Sequence, residues 1–225
     1  MAVTFDAVGP NSAGTSATGT SLSWSHTCTG SNRLLVVGVA VGTVTSDASL
    51  VTTVTYNGVS MTSASKVHSN GSSNGYIQMF YLIAPATGAN TVAVTNNSSA
   101  DLAGGSVSFA GVNQSTPTSG LATNVGNGTS GSVSVSTNVG DMVIDALCNG
   151  SGFASGTSLQ TTRWLINANS NSAAGNGASS TAAGAAGSVT MGYTNFNLDW
   201  WGLIGINIKQ VTAPSSVATV AWLRA

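Results

Sequence analysis

The chain has 225 residues and a net charge of −1, built from 5 Lys or Arg and 6 acidic residues, all of them aspartates. An ordinary soluble surface is about a quarter charged, so Ser, Thr, Asn and Gly must wet this one. Nucleic-acid binding is excluded: a phosphate-tracking groove needs clustered cations, and Arg33, Lys66, Arg163, Lys209 and Arg224 are scattered. General acid–base catalysis is left with few partners, so no enzyme is expected. Hydroxyl, amide and β-branched side chains favour strand and turn over exposed helix. The chain reads as all-β.

Met1-Ala2-Val3-Thr4-Phe5-Asp6 shows neither the basic nor the apolar region of a signal peptide, so synthesis in a cytosol is expected. Leu22 and Trp24 alternate with Ser21, Ser23 and Ser25, the mark of a strand with one hydroxylated face. Arg33 to Val41 is apolar on both faces and predicts a central strand covered on both sides. Its apolar run is too short to cross a bilayer. Val51–Tyr56 and Val59–Thr62 flank Asn57-Gly58, the strongest short hairpin signal because both residues tolerate positive φ. Further strands are predicted over Tyr76–Ala84, Thr91–Thr95, Ser106–Ala110, Ser132–Ser136, Met142–Leu147, Thr161–Asn167, Ser188–Thr194 and Trp200–Ile208. Ser99 to Ala103 has room for one helical turn at most.

Three stretches read as loops. Ser115 to Gly131 looks like a long connection, and Lys66 to Gly75 is polar and carries His68. Asn169 to Gly187 is too small and polar to offset its ordering entropy. The last two are expected to face outward. One domain is predicted over residues 1–210. Residues 211–225 form an apolar C-terminal arm that seeks a surface, either its own sandwich or a neighbouring subunit.

Two cysteines make neither a disulfide framework nor a four-ligand zinc site. Cys28 and Cys148 read as free buried thiols, with a bridge between neighbouring strands as the alternative. His26 and His68 read as structural, since no nucleophile elbow accompanies them. Asp141 suits the turn at Gly140. Asp145, inside an apolar strand, must pair with Arg33 or Arg163, accept backbone amides, or share a Ca²⁺ site. No other cofactor is expected. Asp199-Trp200-Trp201 offers aromatic surface for a sugar ring, but adjacent strand residues face opposite sides. One tryptophan therefore belongs to the core and the other to the rim.

Ordered strings carry a resemblance: SLSWSHTCTGSNRLLVVGVAV (Ser21 to Val41), VTTVTYNGVSMT (Val51 to Thr62), QMFYLIAPATGANTVAVT (Gln78 to Thr95), GGSVSFAGVNQSTP (Gly104 to Pro117), GDMVIDAL (Gly140 to Leu147) and SVTMGYTNFNLDWWGLIGINIKQ (Ser188 to Gln210). The chain resembles a family of β-sandwich modules found in bacteriophage structural proteins and bacterial surface or exported proteins. Its closing strand also looks like that of lectin-like jelly rolls. Resemblance and pattern together imply an antiparallel, jelly-roll-like β-sandwich of about a dozen strands.

The implied role is a virion structural protein, a capsid decoration (cement) or head/tail appendage protein at the virion surface. Its partners would be a major capsid or tail protein and itself, as a homotrimer or other cyclic oligomer, with no nucleic acid and no membrane. Attachment is expected through Ala2, Val3, Thr4 and Phe5 and through Val217, Val220, Trp222 and Leu223. One alternative is a carbohydrate-binding module using Asp199, Trp200 and Trp201. A second is a bacterial fibre subunit assembled by strand donation.

Overall fold

The computed structural model describes residues 1–43, 46, 48–72, 74–152, 157–167 and 175–211. Among these it forms two antiparallel sheets, as the alternation predicts, and the chain supplies each from one contiguous half. The first holds β1 (Thr4–Gly9), β2 (Thr15–Cys28), β3 (Leu34–Gly42), β4 (Thr52–Tyr56), β5 (Val59–Ser60), β6 (Thr62–His68), β7 (Tyr76–Ile83) and β8 (Gly88–Ala110). The second holds β9 (Thr118–Thr137), β10 (Met142–Asn149), β11 (Thr157–Ser158), β12 (Thr161–Ile166), β13 (Asn176–Ala183) and β14 (Gly187–Ile208).

The two halves have the same plan. In the first, the long β8 runs beside β2; its early part also takes β4, and its later part takes β3, which leads on to β7 and β6. In the second, the long β14 runs beside β9, takes β11 early and β10 late, and β10 leads on to β13 and β12. The register matches as well: Leu22 opposes Val94 in one half, and Val133 opposes Met191 in the other.

The long strands turn back over their own sheets, so the sandwich has three cores. The central core lies between the sheets and joins Val36, Ala40, Ile77, Met79 and Phe109 to Ile144, Trp164, Ile204 and Ile206. Outer cores lie under each turned-back layer, around Trp24, Val37, Tyr56 and Phe80 in one half and Val135, Leu147, Tyr193 and Trp201 in the other. β3 is shared between cores: Leu34, Val36 and Ala40 face the central one, while Leu35, Val37, Val39 and Val41 face the outer one. A strand apolar on both faces is therefore required there.

Trp164 is the wedge between the sheets. A Cβ on Gly105 would sit 2.5 Å from the Trp164 Cγ, one on Gly38 2.9 Å from Cζ2, and one on Gly177 3.1 Å from Cζ3. Gly38 and Gly105 belong to the opposite sheet, so they form the slot that admits the indole. On the far side of β8, Trp24 covers Gly104. The Gly104-Gly105 pair thus lets a tryptophan approach from each face.

Asn57 (φ 50°) and Gly58 (φ 76°) form the turn between β4 and β5, both in the left-handed region. A Cβ at Gly58 would meet nothing within 4 Å. Gly58→Ala therefore tests backbone strain alone and should cost roughly 1 kcal/mol, read as a lower denaturant midpoint with unchanged slope.

Four segments depart from the sequence expectation. Ser115 to Gly131 is not a long connection, because β9 begins at Thr118 and pairs with β14 along most of its length. Asn169 to Gly187 contains β13, a buried interior strand between β10 and β12. Its small residues leave room for Trp164 and for Ala40 of the facing sheet, and its backbone is paired on both sides, which offsets the ordering cost. Lys66 and His68 lie in β6 rather than in a loop, and Ser99 to Ala103 continues β8. Cys28 and Cys148 form no disulfide and are buried in different cores, which rules out a bridge between them. Gln210 bridges to Val112, and Val211 N–H donates to Gly111 O (2.9 Å).

Candidate functional site

Most of the unusual polar chemistry is in the second half. Asp145 points from β10 into the outer core with no exposed surface. It pairs with neither arginine. Ser180 N–H and Oγ–H donate to its two oxygens at 2.6 and 2.7 Å, and Tyr193 O–H donates at 2.8 Å. Burial pushes the carboxyl up to about 7 against the pull of these donors, and burial raises the Tyr193 phenol well above its ordinary value. Arg33 instead donates to Pro85 O and Gly30 O. Arg163 donates to Thr181 Oγ1 and lies 3.7 Å over the Phe5 ring. Among the described residues, no group of three His, Cys, Asp or Glu comes together.

Next to this network, where β9 and β14 part company, is a hollow of about 330 Å³. The ladder between them breaks between Thr194 and Asp199. Trp201 lies in the wall, bedded on β9: a Cβ on Gly126 would come within 2.6 Å of its ring and one on Gly131 within 2.8 Å. Phe196 sits beyond it, with ring centroids 6.4 Å apart. Asn124, Ser130, Ser132, Leu159 and Thr194 complete the lining together with the Tyr193 ring. The lining carries no charged side chain. The Trp201 Nε1 is buried with no hydrogen-bond partner.

The tryptophan pair divides as strand geometry demands. Trp201 is core at 6% exposure, and Trp200 is rim at 44%. Asp199 is occupied locally: it accepts from Ser151 Oγ and from the Trp200 amide. The expected sugar platform of Asp199, Trp200 and Trp201 is therefore not one surface.

A second buried network lies in the first half. His26 Nδ1 is 2.8 Å from Ser106 Oγ, which also accepts from Trp24 Nε1 at 2.8 Å. Burial pulls the imidazole down to about 4, while the nearby Asp6 charge opposes the shift. His26 and Ser106 are both sealed, at 1% and 0% exposure, so the pair is structural rather than nucleophilic.

Of the expected attachment residues, Val3 is already committed to the central core, and its N–H donates to Gly140 O. Thr4 and Phe5 belong to β1, paired with β8; Ala2, Thr4 and Phe5 are exposed. Val217, Val220, Trp222 and Leu223 lie outside the described residues. Sequence reasoning singled out Asp145 and Trp201 but missed Ser180, Tyr193 and the hollow's rim. Asp145 in an apolar strand was the available signal, but its partners are 35 and 48 residues away.

Fold and site together define an all-β sandwich with sealed titratable networks and an uncharged hollow beside Trp201. No protein-family model matches the chain, and no curated protein matches it. Among solved structures, two variants of Bacillus subtilis oxalate decarboxylase align at 9% and 8% identity with TM-scores of 0.25 and 0.23, over 95% of this chain and 78% of theirs. Likeness this remote transfers neither activity nor ligand.

Proposed function

We propose that the chain is a bacteriophage virion structural protein, a capsid decoration or head/tail appendage protein that works by protein–protein contact. One observation carries the reading: both outer layers present rows of exposed hydroxyls, while the His26–Ser106 and Asp145–Tyr193 networks are sealed beneath. Ser21, Ser23, Ser25 and Thr27 line one outer face, and Ser132, Ser134 and Ser136 line the other, each alternating with buried residues. Uncharged contacts of this kind are not screened by salt, which suits a particle exposed to changing media. Assembly would be cyclic, a trimer or another closed ring with the particle's own symmetry.

Mass spectrometry of virions purified from the native source is the test. The chain should be present in a fixed ratio to the major capsid or tail protein and should stay bound from roughly 0.1 to 1 M salt. Its absence from washed virions would overturn the reading.

A further inference from the structure

We propose that the hollow beside Trp201 is a binding site for one neutral sugar ring. Its volume of about 330 Å³ lies at the small end of the ligand-site range of roughly 300–1,000 Å³. The chemistry of the lining selects the class. An anion would find no cation there, because Arg and Lys are absent from the wall. A metal ion would find no carboxylate: Asp145 is saturated by Ser180 and Tyr193. A purely apolar guest would cover the hydroxyls of Ser130, Ser132 and Thr194 without offering them a partner.

A pyranose meets these groups on both counts, with hydroxyls for the polar rim and C–H surface for Leu159 and the indole. The proposal is independent of the virion reading, since a decoration protein and a free-standing module could both carry the hollow.

Calorimetric titration of the full chain with glucose, galactose, mannose and N-acetylglucosamine, and with their disaccharides, tests it. At least one should bind saturably. Leu159→Trp, at a position 59% exposed and so tolerant of bulk, should fill the mouth and weaken binding at least about tenfold. Thr194→Val should weaken it about threefold to tenfold through one lost hydrogen bond, and Trp200→Ala should leave it unchanged. No saturable binding by any of these sugars would overturn the proposal. So would binding that survives Leu159→Trp but fails in Trp200→Ala, which would put the sugar on the rim. Both outcomes leave the virion result untouched.

Discussion

Trp164→Ala should remove roughly 3–5 kcal/mol of stability, the range for truncating a buried large aromatic residue. The side chain has no exposed surface and lies between sheets whose glycines leave the room it occupies. Three glycines cannot close the gap: Gly38, Gly105 and Gly177 have no side chains to move into the vacated volume. The cavity term should therefore stand near its full size, with the denaturant midpoint falling and the slope unchanged. The reciprocal change, Gly105→Ala, places a methyl group 2.5 Å from the indole and should also destabilise the protein, by about 1–3 kcal/mol. A loss below roughly 1 kcal/mol in Trp164→Ala would mean that the sheets repack without the wedge.

Asp145→Asn should raise stability above pH 7 and expose a pH dependence that the parent protein conceals. The Asp145 carboxyl sits at about 7 in the folded chain against an ordinary 3.8. The folded state therefore holds a proton that the unfolded state releases, and stability falls as pH rises from roughly 4 to 7. The full cost above that window is of the order of 4 kcal/mol. His26 works in the other direction. Its imidazole sits at about 4 against an ordinary 6.5, so the unfolded chain gains a proton and stability falls as pH drops from about 6.5 to 4.

Between roughly pH 4 and 6.5 the two slopes oppose, and the parent protein should be nearly flat. Asp145→Asn leaves only the His26 slope, so stability should climb with pH through that window. His26→Asn leaves only the Asp145 slope and should decline. The amide fits the network: its oxygen can take the Ser180 and Tyr193 donors, and its NH₂ can donate to Ser180 Oγ, which can pass its own proton to Gln160 Oε1 at 3.2 Å. Unfolding midpoints across pH 4 to 8 decide the matter. Curves for Asp145→Asn that run parallel to the parent's at every pH would refute the assignment.

Much of the architecture was legible where side chains are large and alternate. Arg33 to Val41 announced a strand buried on both faces, and Asn57-Gly58 announced its turn. Trp200 and Trp201 had to part to opposite sides. The segments that misled are those whose strand character rests on backbone pairing alone. β13 reads Asn-Gly-Ala-Ser-Ser-Thr-Ala-Ala, with too little apolar area to register as a core element, yet it is buried because its neighbours need thin partners. β9 hides behind glycines that make room for Trp201. The sites were legible only in part. A lone carboxyl in an apolar run signals a buried network, but Ser180 and Tyr193 become its partners only once the registers of β10 with β13 and β14 are fixed.

The single passage of the chain between sheets, from Ala110 to Thr118, bears on how the protein is made. A ribosome that has delivered residues 1–110 has delivered a whole sheet able to close over its own outer core. The other face of that sheet, with Val36, Ile77, Met79 and Phe109, stays bare until the remaining half emerges. At ordinary translation speeds of about 5–20 residues per second, that wait lasts several seconds. Nascent chains on neighbouring ribosomes could pair bare faces during this interval, so slow synthesis of the second half should favour inclusion bodies over native protein.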